Sequence, residues 1–153
     1  LLSEQLCQLF YENYGLSYAA IRLFNGYGPD QQLGYFIPDQ IAKAKTGKID
    51  LRGSDITKDW IYIDDIVRAY CLALQSTFVG AINIGTGIET DLATIARMIA
   101  KAFKAELVCL PAEKPTRMQA DIRRAQAVLG WQPTVSLEDG IRNVLKVSMG
   151  TVA

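Results

Sequence analysis

Apolar residues first recur at helical spacing, with Leu2, Leu6, Leu9 and Phe10 on one stripe, no capping residue before them and Gly15 as the stop. Residues 18–24 then form an apolar run with strand character, as expected of a parallel strand covered by helices on both faces. The run ends at Asn25-Gly26-Tyr27-Gly28-Pro29, which predicts a strand emptying into a tight loop. In an α/β pattern that is where ligands sit. Residues 35–46 carry Phe36, Ile37, Ile41 and Ala44 on one side, with Pro38 in the first turn and Gly47 past the end, and predict a second helix.

Residues 48–51 read as a short strand, 53–57 as a polar turn, and 60–63 as a strand running into Asp64, a candidate N-cap. Ile66, Val67, Tyr70, Cys71 and Leu74 mark a helix ending near Gly80. A buried strand at 81–84, a Gly85-Thr86-Gly87 turn and a helix capped by Thr90 or Asp91 follow. Residues 107–110 read as the next strand, and the proline-punctuated stretch 111–115 as an exposed loop. Asp121 is placed to cap a short helix ended by Gly130, and Ser136 with Asp139 forms a capping box for a last helix over 137–147. The alternation is α/β, and with no repeat or linker residues 1–153 count as a single unit.

Sixteen basic residues balance sixteen acidic ones without a basic stripe, which gives no electrostatic support for a nucleic-acid or anionic-membrane partner. No apolar stretch is long enough to span a bilayer, and no signal-peptide pattern opens the chain, so a cytoplasmic location is expected. Cys7, Cys71 and Cys109 stand apart within apolar patterns and are expected to be buried free thiols. The absence of histidine excludes serine-protease-like triads, papain-like dyads and the commonest zinc ligand.

Four motifs carry a resemblance: Arg22-Leu23-Phe24-Asn25-Gly26-Tyr27-Gly28-Pro29, Lys58-Asp59-Trp60-Ile61-Tyr62-Ile63-Asp64-Asp65, Ile82-Asn83-Ile84-Gly85-Thr86-Gly87 and Leu129-Gly130-Trp131-Gln132-Pro133. In this order they resemble the C-terminal half of the extended short-chain dehydrogenase/reductases, the NAD-dependent epimerase/dehydratase family acting on nucleotide sugars. The resemblance implies the C-terminal part of a Rossmann-like parallel sheet plus a small mixed α/β substrate-binding lobe. It also implies NAD as the cofactor of the parent protein, a nucleotide sugar as the ligand, and self-association through the N-terminal helix, whose leucine stripe belongs to a dimer-forming bundle in many relatives.

Family members carry a glycine-rich dinucleotide loop, a catalytic Ser or Thr, and Tyr-x-x-x-Lys on the helix before the Asn-Gly strand. None of these motifs occurs in the 153 residues. The resemblance places the catalytic lysine just before Leu1, so the chain is expected to be a fragment, with tryptic, engineered and natural truncation all open. Alone it is expected to be inactive and not to bind NAD tightly. The reading from a different class is a non-catalytic sugar-nucleotide-binding or interaction protein, and a functionless remnant is a third.

Carried over residue by residue, Phe24 and Asn25 border the nicotinamide, and Asn25 also reaches the substrate. Tyr35, Phe36 and Ile37 match the segment covering the nucleotide base. Lys58 stands where the family has the diphosphate-clamping Arg, keeping the charge and losing the bidentate fork. Lys114 and Arg117 compete for a second nucleotide-contacting cation. Each has a plainer alternative: a turn at Asn25, core packing at 35–37, and solvated surface charge at Lys58, Lys114 and Arg117. Asp59 is expected to bond loop amides. Gly85-Thr86-Gly87 could cradle a phosphate, though the family segment is structural. The pairs Asp64-Asp65 and Glu138-Asp139 open helices, so capping is preferred to metal or acid–base chemistry.

Overall fold

The structure, a computed structural model, describes residues 2–150. Helix α1 (Leu2–Tyr14) has no buried residue and leaves Leu2, Leu6, Leu9 and Phe10 exposed. Polar contacts fasten it: Arg22 Nε and Nη2 donate to the Glu4 carboxylate at 2.8 and 2.6 Å, and Tyr18 Oη donates to Gln8 Oε1 at 2.7 Å.

Strand β1 (Ala19–Leu23) pairs in parallel with β5 (Gly80–Ile84), Ala19 opposite Gly80 and Leu23 opposite Ile84. The Phe24 N–H still bonds Ile84 O at 3.0 Å, and there the chain changes partner. Strand β2 (Asn25–Tyr27) runs parallel to β4 (Thr57–Tyr62), with Asn25 opposite Trp60. The expected Asn-Gly loop is thus a three-residue strand. No positive φ occurs over residues 25–28; the left-handed residue of this stretch is Asp30. Strand β6 (Glu89–Asp91), not anticipated from sequence, adds antiparallel to β4 with Asp59 opposite Glu89, while β3 (Lys48–Arg52) and β7 (Glu106–Leu110) form a separate parallel pair.

Helices α2 (Phe36–Lys45), α3 (Ile63–Gln75), α4 (Leu92–Phe103), α5 (Arg123–Leu129) and α6 (Leu137–Ser148) fall where the periodicity puts them, although α3 stops five residues before Gly80. Strand β4 divides the interior by its alternation. Trp60 and Tyr62 join Tyr27, Ile37, Ile49 and Ile95 in one cluster, and Ile61 joins Ile82, Ile84 and Trp131 in the other. Burying large aliphatic and aromatic side chains on both faces is worth about 1.5–3 kcal/mol each and fixes this strand's register.

Asp91 caps α4, accepting from Thr94 N at 2.6 Å; Ser136 caps α6, accepting from Asp139 N at 3.1 Å; Gly130 ends α5 at φ 59°. Other expectations fail. Asp64 does not cap α3, which starts after Tyr62 without a side-chain cap bond. Asp65 is fully buried and receives the N–H groups of Thr134 and Val135, each at 3.0 Å, while Arg68 pairs with it at 2.8 Å. That carboxylate ties α3 to the chain leading into α6. Asp121 accepts from Arg123 N at 3.1 Å in a turn before α5, whose N-cap position is Ile122. Cys71 and Cys109 are exposed and Cys7 half-buried, because the apolar faces of α1, α3 and β7 are not all turned inward. β1 is likewise only half-buried, since β5 is its one strand partner among the described residues.

Candidate functional site

The switch from β1 to β2 opens a gap beside the first half of β4, and there lies a cleft of about 700 Å³. That volume is ordinary for a small-molecule site. Phe24 and Asn25 form one wall, Lys58 and Trp60 another, and Tyr35 and Phe36 close it from the start of α2. Residues 58 and 60 share a face of β4 by alternation.

Asn25 is held from two directions. Its Nδ2 donates to Asp59 O at 3.1 Å and lies 3.6 Å from Met118 Sδ. The loop backbone beyond it presses on α3: a Cβ on Gly26 would stand 2.9 Å from Ile66 Cδ1, and one on Gly28 2.7 Å from Ile63 Cγ2. Close approach, not backbone conformation, requires glycine at both positions. Gln31 Nε2 donates to Gly26 O at 3.2 Å and folds the loop over the cleft.

The other sequence-predicted residues separate. Tyr35 is exposed at the cleft mouth, and Phe36 packs on Trp60 with ring centroids 5.6 Å apart. Ile37, 1% exposed, belongs to the core and does not line the cleft. Lys114 and Arg117 lie on an exposed loop, and neither is among the residues lining the cleft. Arg117 donates through Nε and Nη2 to Glu89 Oε2 at 2.9 and 2.7 Å, and the guanidinium holds the Glu89 carboxyl below the usual range. Trp60, which the sequence reading did not single out, is the missed wall residue; its place two positions after Lys58 on a strand was the available signal.

Asp59, fully buried, organises the rim. Its carboxylate accepts from Thr86 N at 2.6 Å, Thr86 Oγ1 at 2.7 Å, Gly87 N at 2.8 Å and Ala120 N at 3.0 Å. Its expected part in bonding loop amides is what the geometry gives. The Thr86 and Gly87 amides are thereby occupied, so the Gly-x-Gly turn holds a protein carboxylate where a phosphate cradle would need free donors. Gly85 has no room for a side chain, since a Cβ would come 2.5 Å from Ala120 Cβ. Glu138 and Asp139 sit in the first turn of α6, with Asp139 in the capping box. Among the described residues no group of three or more His, Cys, Asp or Glu could hold a metal ion, and no helix is long and apolar enough to cross a membrane.

The arrangement of motifs, strand switch and cleft has a counterpart in known proteins. Residues 1–144 match the family model described as GDP-mannose 4,6 dehydratase. The chain belongs to that family. It is thus an extended short-chain dehydrogenase/reductase of the NAD-dependent epimerase/dehydratase group, and its α/β fold with Rossmann-like parallel strands accords with this. A UDP-glucuronate 4-epimerase from Thermodesulfobacterium geofontis is 30% identical over 155 residues, covering 95% of this chain and 47% of the relative. The UDP-glucose 4-epimerase of Thermotoga maritima, solved with UDP-glucose, superposes with a TM-score of 0.88 at 28% identity, covering 99% of this chain and 52% of that one. MoeE5, solved with UDP-glucose and NAD, superposes at 0.84 with 26% identity, covering 99% and 54%. The chain spans about half the length of the epimerases that it matches.

Proposed function

We propose that the cleft beside β4 is the nucleotide-sugar site of an NAD-dependent epimerase, decarboxylase or dehydratase, and that this chain forms its substrate-binding part. The observation carrying the reading is the strand switch, which places Phe24 and Asn25 against Lys58 and Trp60 around 700 Å³ of open volume. Asn25, held by Asp59 O, offers an amide to the sugar, and Phe24 borders the nicotinamide. Lys58 supplies charge to the diphosphate. Tyr35 and Phe36 are placed to cover the base, whereas Ile37 acts behind them as packing. Neither Lys114 nor Arg117 lines the cleft; Arg117 is favoured as the second cation because its neighbour Met118 lies against Asn25.

In the whole protein NAD would take a hydride from a sugar carbon while a tyrosine accepts the hydroxyl proton. Neither the glycine-rich loop nor Tyr-x-x-x-Lys occurs in the sequence, so residues 1–153 bind and orient without catalysing hydride transfer and hold NAD weakly. The leucine stripe of α1, exposed throughout, supports self-association through that helix.

Amide NMR during a titration with UDP-glucose tests the site. Shifts concentrated at Asn25, Tyr35, Phe36 and Lys58 are expected; shifts confined to residues outside the cleft, or none, would sink the reading.

A further inference from the structure

Along the seam between α4 and α6 lies a trough of about 440 Å³, open to solvent and sharing no lining residue with the cleft beside β4. Its floor is apolar, with Met98 and Ala102 from α4 and Ile141, Leu145 and Met149 from α6 and its C-cap position. Ile141 is buried, Leu145 half-buried and Met149 44% exposed, so the floor rises from the core to the surface along α6. Residues 141, 145 and 149 are four apart and form one row, about 12 Å long at 1.5 Å per residue. A facing helix presents anchors at i, i+4 and i+7 over that length. The two methionines give the floor an adaptable surface.

The rim is mostly cationic. Lys101 stands on the α4 side, and Glu138, Arg142 and Lys146 follow one another at every fourth position on the α6 side. Arg142 is already paired with Asp139. Lys101 and Lys146 have no ion-pair partner among the described residues, and Glu138 is the one carboxylate of the lining. Three cations thus face one acid here, in a chain whose sixteen basic and sixteen acidic residues cancel.

We propose that this trough docks an acidic amphipathic helix of a partner protein. The partner's apolar stripe lies on the row of residues 141, 145 and 149, and carboxylates on its two flanks meet Lys101 and Lys146. Apolar contact supplies the holding energy, and the rim charges select an acidic helix over a basic one. Helix α1 of a second copy fits less well. Its Glu4 is taken up by Arg22 of its own chain, which leaves Glu12 as the acid of that helix still to be matched. The proposal is independent of what the cleft beside β4 binds.

The probe is a fluorescein-labelled helical peptide of about fourteen residues, with leucines at i, i+4 and i+7 and glutamates on both flanks. A sister peptide carries lysines in place of the glutamates. Anisotropy titration with this chain should show saturable binding of the acidic peptide and about tenfold weaker binding of the basic one, the scale of two surface ion pairs. Met149→Asp, at an exposed end of the floor, should weaken the acidic peptide about tenfold with the thermal melt unchanged. Lys101→Glu with Lys146→Glu should reverse the preference between the peptides. Equal affinity for the two peptides, affinity unmoved by these substitutions, or no saturable binding would overturn the proposal. So would sedimentation showing that the chain self-associates and that the lysine substitutions alone make it monomeric, because the trough would then belong to a second copy.

Discussion

The Asp59 carboxylate accepts the Ala120 N–H at 3.0 Å across 61 positions of sequence, and the same carboxylate holds Thr86 and Gly87. One buried side chain therefore joins β4, the turn after β5 and the loop that carries Arg117. Its own carbonyl oxygen receives Asn25, so the cleft wall depends on the same residue.

Replacing Asp59 with Asn keeps the volume and removes the charge that four donors share. The loss is expected to be about 2–4 kcal/mol, since charge-assisted hydrogen bonds contribute about 1.5–3 kcal/mol each and Asn retains some of them. Urea denaturation should show a lower midpoint at an unchanged slope, with faster amide exchange at residues 86, 87 and 120. An unaltered midpoint would mean that the carboxylate is not the fastener.

Gly140 in α6 sits under the Tyr27 ring, where an added Cβ would stand 2.1 Å from Tyr27 Oη. Helix propensity alone favours Ala over Gly by up to about 1 kcal/mol. The steric conflict should win, giving a net loss of about 1–3 kcal/mol for Gly140→Ala. Adding Tyr27→Phe should recover part of that loss in thermal denaturation, whereas purely additive effects would contradict the contact.

Tyr27 also makes the fold sensitive to alkali. Burial first, and then the nearby Tyr62, Asp65, Glu138 and Asp139, push its hydroxyl well above the ordinary 10.0. A raised pKa gives stability that is whole below pH 10 and is lost as pH rises past it, because the unfolded phenol ionises while the buried one does not. Each pH unit in that window costs about 1.4 kcal/mol from this group. Tyr27→Phe should flatten the stability profile above pH 10 by that slope, as measured by denaturant titration at several pH values; an identical slope in the variant would exclude Tyr27 as the source.

Lys58→Arg restores a planar fork at the cleft. Affinity for UDP-glucose should rise by about three- to tenfold if this position faces a diphosphate, because bidentate charge-assisted bonds then become available. Fluorescence titration through Trp60 can follow it. Equal affinity would move the diphosphate away from Lys58.

The strand run before Asn25, the helix stops at Gly15 and Gly130 and the caps at Asp91 and Ser136 were legible because each is a local signal. What local signals do not carry is the partner. The switch of the chain from β5 to β4 at Phe24 is a relation to strands about sixty and about thirty-five residues away, and so the sequence indicates a ligand-binding loop there without the strand pairing that opens the cleft. Asp65 reads as a capping residue, yet its carboxylate is used by Thr134 and Val135, a contact no periodicity encodes. Ile37 shares an aromatic-flanked segment with Tyr35 and Phe36, but the helical turn sends it into the core. Cys71 and Cys109 lie in apolar patterns whose outward faces the described residues leave uncovered. Asp59 was anticipated correctly because an Asp beside a strand and a glycine turn has few other uses.

The central claim, that the cleft beside β4 takes a nucleotide sugar, is tested most directly by calorimetry of this chain with UDP-glucose, with and without Lys58→Ala. Saturable one-site binding, weakened about tenfold in the variant as expected for loss of a charge-assisted phosphate contact, is the predicted result. No saturable binding, or binding indifferent to Lys58, would contradict it.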